Sequence, residues 1–191
     1  MSEKLIVSDT NIFLDLFDTE LLKEFFNLPY EIKTSMLVIG EIKKDEQLQA
    51  IKPFIDSKKL KIGDISDEEF NSCYVLKLVT PGDLSIADCS VWRMAKNDNA
   101  KLLTSDAKLR KAAEKDNVEV HGILFVFDEM ISNNILSPTK AIEKLDLLKE
   151  KNKRFSKKLA DIKKEEWQEL IKRKKNLKQS KRFDDDYDMG I

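Results

Sequence analysis

No apolar run in this chain approaches the roughly 20 residues that a bilayer-spanning helix requires, so no such helix is expected. The first residues also lack the basic segment and long apolar stretch of an export signal. Cysteine is scarce. Cys73 and Cys89 are the only two, and they form neither metal-type spacing nor a disulfide framework. Both read as small buried hydrophobes, and together with the missing signal they point to a reducing, cytoplasmic setting. Histidine is scarcer still: His121 stands alone and is assigned a structural role. Finally, the turn signals that join antiparallel strands into hairpins are missing, which removes hairpin-built all-β architectures.

What is present is a globular composition, 41% hydrophobic, with an unusually high charged fraction of 36%. The length of 191 residues suits one domain with a substantial core and an appendage. A net charge of −1 conceals an asymmetry. Residues 139–182 hold 17 Lys and Arg against 7 Asp and Glu, and the last nine residues hold four Asp. An acidic body is thus followed by a basic arm and an acidic end.

Along the chain, Leu5-Ile6-Val7 is a short β-favouring run of the buried type. It stops at Ser8-Asp9-Thr10-Asn11, before a helix carrying Ile12, Phe13, Leu16 and Phe17. A second helical piece spans 19–27, a short strand 31–33, and a helix capped by Thr34 or Ser35 spans 36–49, with another over 51–56. Leu60-Lys61-Ile62 is a strand. Ser66 and Glu69 form a capping box for the next helix. After Thr80-Pro81-Gly82, a helix beginning at Asp83 or Leu84 leads to the strand 101–104 and the turn Ser105-Asp106. A helix over 107–115 and a strand over 118–120 follow. Strands alternating with helices mean βαβ units and a parallel sheet. Beyond His121 only helices are expected: 122–132, one starting at Ser137-Pro138, and one or two charged helices over 155–175. The expected division is 1–135, a basic helical extension over 136–177, and a flexible tail over 178–191.

The informative residues are carboxylates. Asp9 and Asp106 each end a strand of one parallel sheet, where such sheets bind their ligands. Either residue can equally be a helix cap. Asp88 falls on the same helix face as Leu84 and Val91, where a charge is costly unless paired or metal-bound; the alternative is a buried salt bridge. Glu41 shares a face with Leu37, Val38 and Leu48, and the alternative is a solvated helix residue. Carboxylates converging at a sheet edge repel one another, and hard divalent cations relieve that repulsion through oxygen ligation.

In this order, the Asp9-Thr10-Asn11 turn, Glu41 in Val38-Ile39-Gly40-Glu41, Asp88 in Ala87-Asp88-Cys89, and Asp106 in Thr104-Ser105-Asp106 resemble the PIN-domain ribonucleases. The subgroup is that of VapC-type toxins with a helical C-terminal extension, and the resemblance spans roughly 4–125. It implies an α/β, Rossmann-like three-layer fold with a central parallel sheet of four to five strands. It also implies an RNA endonuclease of two-metal type, with Mg²⁺ or Mn²⁺ held by Asp9, Glu41, Asp88 and Asp106. Asn11 and Ser105 would bond those carboxylates or the scissile phosphate. RNA as substrate, a cognate antitoxin protein and a homodimer are the partners it implies.

Lys172, Arg173, Lys174 and Lys175 in the basic arm are candidates for tracking a phosphate backbone; a solvated face or an acidic antitoxin contact is the alternative. Other functions stay open at this point: a processing nuclease that is not a toxin, a catalytically idle RNA-binding module, and a phosphatase or phospho-acceptor using Asp9 as nucleophile. The phosphatase pattern wants an Asp where Asn11 stands, and a receiver domain wants an acidic residue where Ser8 stands.

Overall fold

The computed structural model describes residues 5–188, with side chains described up to Lys174 and at Asn176. The chain divides into two compact units between Ile135 and Leu136.

The first unit is built on five parallel strands, β1 (Leu5–Ser8), β2 (Glu31–Ser35), β3 (Leu60–Gly63), β4 (Lys101–Leu103) and β5 (Val120–His121). Their order is β3-β2-β1-β4-β5, and every neighbouring pair is parallel. The chain winds outward from β1 through β2 to β3, then returns to place β4 on the other side of β1. The winding direction therefore reverses between β1 and β4, and open α/β sheets bind ligands at such a switch point. Register is set by apolar side chains on both faces: Val7 sits opposite Leu102, and Ser8 opposite Leu103. Ile6, Val7, Leu102 and Leu103 are all buried, as expected for strands covered on both sides.

The helices are α1 (Thr10–Asp18), α2 (Leu22–Phe25), α3 (Met36–Glu41), α4 (Asp45–Asp56), α5 (Asp67–Val79), α6 (Ile86–Asn97), α7 (Ala107–Lys115) and α8 (Ile123–Ser132). Phe13 of α1 packs with Phe25 and Phe26, and Phe26 stacks on Phe54 of α4 at a ring separation of 4.2 Å. Helix α6 packs across β1, β2 and β4 through Val91, Trp92 and Ala95. It thereby covers the strands on both sides of the switch point.

Three expectations are corrected. The two helices expected over 36–49 and 51–56 are instead Met36–Glu41 and Asp45–Asp56: the break falls at Ile42, which leaves helical geometry (φ −73°, ψ 106°), and not at residue 50. Gly40 weakens the end of α3, while Asp45 and Glu46 favour a fresh start for α4 at its positive end. The second helical piece, expected over 19–27, is the single turn α2. The helix expected from Asp83 or Leu84 starts at Ile86, since Ser85 caps it.

The second unit contains α9 (Pro138–Lys151) and α10 (Lys157–Asp188), which pack against each other. Ser137 caps α9, with Pro138 in its first turn, where a missing N–H costs nothing. Leu145, Leu148, Ala160 and Trp167 are buried, and ion pairs Lys149–Asp161 and Lys164–Asp146 join the two helices. The backbone of α10 continues past Lys178, where a tail was expected; neither Pro nor Gly interrupts residues 157–188. Met189 to Ile191 lie outside the described residues. No described helix is long and apolar enough to cross a membrane.

Candidate active site

β1 ends where its apolar run ends, and Asp9 then caps α1. Its backbone N–H still belongs to the sheet, donating to the Leu103 carbonyl at 3.0 Å. Its carboxylate is only 1% exposed. Oδ1 accepts from the Thr10 N–H at 2.6 Å, while Oδ2 accepts from the Thr104 hydroxyl at 2.8 Å and the Asn11 amide at 3.2 Å. Burial is the largest influence on this group, and the hydrogen bond from Thr104 opposes it. The charge of Asp88 raises the pKa further, and the outcome is about 6.

Asp106 ends the neighbouring strand and caps α7: its Oδ1 accepts from the N–H groups of Lys108 and Leu109, both at 2.8 Å. Its own N–H donates to the Thr104 hydroxyl at 3.0 Å. One fully buried hydroxyl thus donates to the Asp9 carboxylate and accepts from the Asp106 backbone. The capping alternative is realised in both residues. The guanidinium of Arg110 fastens the same strand end, donating to the carbonyls of Thr104 and Val120 at 3.2 and 3.0 Å.

Asp88 is the third position of α6. With Ser85 it forms a capping box: the Asp88 N–H donates to Ser85 Oγ at 2.9 Å, and Asp88 Oδ2 accepts from the Ser85 N–H at 2.7 Å. The salt bridge considered for Asp88 is absent among the described residues; its own helix start is its partner. Burial pushes its pKa up, the Ser85 hydrogen bonds oppose that, and the charges of Glu41 and Asp106 add to the rise. Ser85→Ala is expected to cost about 1 kcal/mol of stability by urea titration, and Ser85→Gly only a few tenths.

Glu41 is the last residue of α3, and its Oε2 accepts from the Thr10 hydroxyl at 2.9 Å. The start of α3 is coupled to α6 through two buried hydroxyls. Ser90 Oγ donates to the Ala87 carbonyl at 2.7 Å and lies 2.6 Å from Ser35 Oγ. Since a hydroxyl carries one proton, Ser35 is the donor of that pair, and it accepts from the Val38 N–H as the cap of α3.

The structure therefore brings Asp9, Asp88 and Asp106 to the carboxyl edge of the sheet, with Glu41 close enough to act on Asp88. No basic side chain bonds to any of the four among the described residues. The oxygens Asp88 Oδ1, Asp106 Oδ2 and Glu41 Oε1 have no hydrogen-bond partner there either. Asn11 does bond a site carboxylate. Ser105 does not: its hydroxyl donates instead to Asp15 Oδ2 at 3.1 Å. Sequence reasoning passed over Thr10, Thr104 and the buried Asp15. The signal for the two threonines was their position, each within two residues of a strand-end acid. His121 stacks on Phe125 and pairs with Glu119. Lys172, Arg173 and Lys174 are exposed on α10, with Lys172 paired to Glu169 at 2.7 Å. The Lys175 side chain lies outside the described residues.

A family model described as PIN domain matches residues 5–169. The match reaches well beyond the 4–125 that carry the motifs, and includes α9 and the first part of α10. No curated protein sequence matches the chain significantly. Among solved structures, a PilT N-terminus domain protein from Sulfolobus solfataricus P2 is 20% identical with a TM-score of 0.45, over 66% of this chain and 93% of that one. VapBC2 from Rickettsia felis, bound to a DNA fragment from its promoter, is 20% identical with a TM-score of 0.41, over 62% and 98%. FitAcB from Neisseria gonorrhoeae is 13% identical with a TM-score of 0.42, over 62% and 98%.

Proposed function

The chain belongs to the PIN-domain family, and from that premise we propose that it is a divalent-metal-dependent RNA endonuclease. Asp9, Glu41, Asp88 and Asp106 are its acidic centre. The supporting observation is electrostatic: the charges of Asp9, Glu41 and Asp106 are all coupled to Asp88, and among the described residues no basic side chain is bonded to any of the four. A fold that holds uncompensated carboxylates together does so at a cost in stability, which a bound cation removes.

The donor set fits Mg²⁺ or Mn²⁺ in kind, being carboxylate oxygen throughout. Among the described residues no three His, Cys, Asp or Glu side chains stand together as an ion-binding group. Asp88 and Asp106 are turned toward the N–H groups of their own helix starts. Holding an ion would use their unbonded oxygens or release capping bonds worth about 1 kcal/mol each. When bound, the cation supplies positive charge beside a phosphodiester and makes water more acidic.

The chain's own groups do the rest. Thr104 and Asn11 hold the plane of the Asp9 carboxylate, and Thr10 holds Glu41. Asn11 is exposed at the mouth of the site and offers an amide N–H to a phosphate oxygen. Attack by water in line with the 3′ oxygen would leave 5′-phosphate and 3′-hydroxyl ends. In this reading the protein is the toxin of a toxin–antitoxin pair, and the exposed basic stretch of α10 contacts RNA or an acidic antitoxin.

The test is incubation of mixed RNA with Mg²⁺ or Mn²⁺ and with EDTA. Cleavage is expected with the metals, none with EDTA, and none for Asp88→Asn. Cleavage that persists in EDTA or in the variant rejects the assignment. RNA binding without cleavage at every metal concentration would indicate the idle module instead.

A further inference from the structure

Asp15 is a buried acid to which the chemistry proposed for the site gives no part. It is 5% exposed, at an interior position of α1 between Leu14 and Leu16. Carboxylates are seldom buried to this degree, because leaving water is costly unless the oxygens find donors. One donor is the hydroxyl of Ser105, 3.1 Å from Oδ2 and 90 positions away in the chain. Asp15 lies four residues beyond Asn11 and therefore on the same side of α1. That side meets the site twice. Asn11 donates to the Asp9 carboxylate, and one turn below it Asp15 accepts from the turn between β4 and α7.

This turn has three residues, Thr104, Ser105 and Asp106. Two sets of bonds hold it. The Arg110 guanidinium on the Thr104 carbonyl, and the N–H groups on the Asp106 carboxylate, tie it to α7. The hydroxyls of Thr104 and Ser105 tie it to α1, at the Asp9 cap and at Asp15. Ser105 is exposed, yet its hydroxyl is directed inward. Six residues of helix separate the two attachments on α1, about 9 Å along its axis. A single attachment would act as a pivot; two fix the tilt of the turn as well as its place.

We propose that Asp15 is a positioning residue for the acidic centre. Acting through Ser105, it holds the turn in the orientation that lets Asp106 share a divalent cation with the other acids. Asp15 itself touches neither cation nor substrate. The role rests on the metal-dependent reading of the site, and it makes Asp15 a determinant of metal affinity. Groups that orient a ligating side chain in this way typically set affinity by roughly 10- to 100-fold. With the Ser105 contact gone, the turn can rotate about the Thr104–Asp9 bond, and the unbonded oxygen of Asp106 shifts relative to Asp9 and Asp88.

The test is calorimetric titration of the full chain with Mn²⁺, alongside RNA cleavage as a function of Mn²⁺. Ser105→Ala and Asp15→Leu are each expected to raise the half-saturating Mn²⁺ concentration by roughly 10-fold in both measurements. Cleavage at saturating Mn²⁺ should return close to the parent rate, because the four acids are intact. Asp15→Asn keeps an acceptor and Ser105→Thr keeps a hydroxyl, so both should bind Mn²⁺ nearly as the parent does. In the Asp15→Leu background, Ser105→Ala should cost nothing more, since the contact can be lost only once. Ser105 is exposed, so Ser105→Ala gives the answer even if Asp15→Leu does not fold. Mn²⁺ binding by Ser105→Ala equal to the parent's overturns the proposal. So do additive losses in the double variant, or an Asp15→Leu protein that melts earlier in EDTA but binds Mn²⁺ unchanged. A parent that binds no Mn²⁺ overturns the metal reading together with this role, which separates that failure from the others.

Discussion

Asp9→Asn is expected to abolish RNA cleavage, by on the order of 10³-fold, while making the metal-free protein more stable. The two effects have one cause. The Asp9 carboxylate is buried beside Asp88 and its pKa stands at about 6, against 3.8 for the free side chain. Between those values the folded chain holds a proton at Asp9 that the unfolded chain has released. Stability in EDTA therefore rises as the pH falls from neutral through about 6 toward 3.8, and the ionised carboxylate costs on the order of 3 kcal/mol at pH 7. The substituted amide carries no charge, so the variant should unfold at a higher temperature at pH 7 and lose most of this pH dependence. Part of the gain is offset, because that amide replaces an acceptor facing the Asn11 donor. Thermal unfolding in EDTA from pH 4 to 7 measures the stability term, and RNA cleavage in Mg²⁺ the functional one. A variant as pH-sensitive as the parent would remove Asp9 as the source.

Thr104→Val should be the most damaging change at a residue that carries no charge. Valine keeps the shape of threonine but loses the hydroxyl that donates to Asp9 and accepts from the Asp106 N–H. The Asp106 amide is left short of a partner in a part-buried place, at about 1–3 kcal/mol. Asp9 loses the strongest influence holding its pKa down, so that pKa moves further up. Cleavage should fall by on the order of 10- to 100-fold, with the acidic limb of the pH–rate profile displaced to higher pH. Thr104→Ser restores the hydroxyl and should recover most of the rate and the original profile. A packing defect alone would leave the profile where it was.

How much of this was legible depended on the range of the interaction. β1 and β4 are apolar runs that stop abruptly at Asp9 and Ser105-Asp106, and the sheet has them where the pattern does. The Ser66–Glu69 capping box was readable for the same reason, since both partners lie within one turn. Ser85 and Asp88 form an equally local pair, but a helix start placed at Asp83 or Leu84 concealed it. The break between α3 and α4 was also local and was missed because Asp45 and Glu46 suit a helix interior as well as a helix start. Ser105 shows the other limit: its partner Asp15 is 90 positions away, and nothing near Ser105 distinguishes that carboxylate from Asp9.

By itself, then, the sequence determined the alternation of strands and helices, the polar residues that end β1 and β4, and the acidic residues available there. These follow from propensities and periodicities that act over a few residues. Only the tertiary structure decided which acids share a space. Placing β4 beside β1 sets Thr104 against Asp9, and laying α6 across both strands brings Asp88 to the same edge. Burial there, with no bonded Lys or Arg among the described residues, raises the pKa of the Asp9 carboxylate and, at its part-buried place, that of Asp88. That electrostatic tension belongs to the assembled fold, and no single segment of the chain carries it.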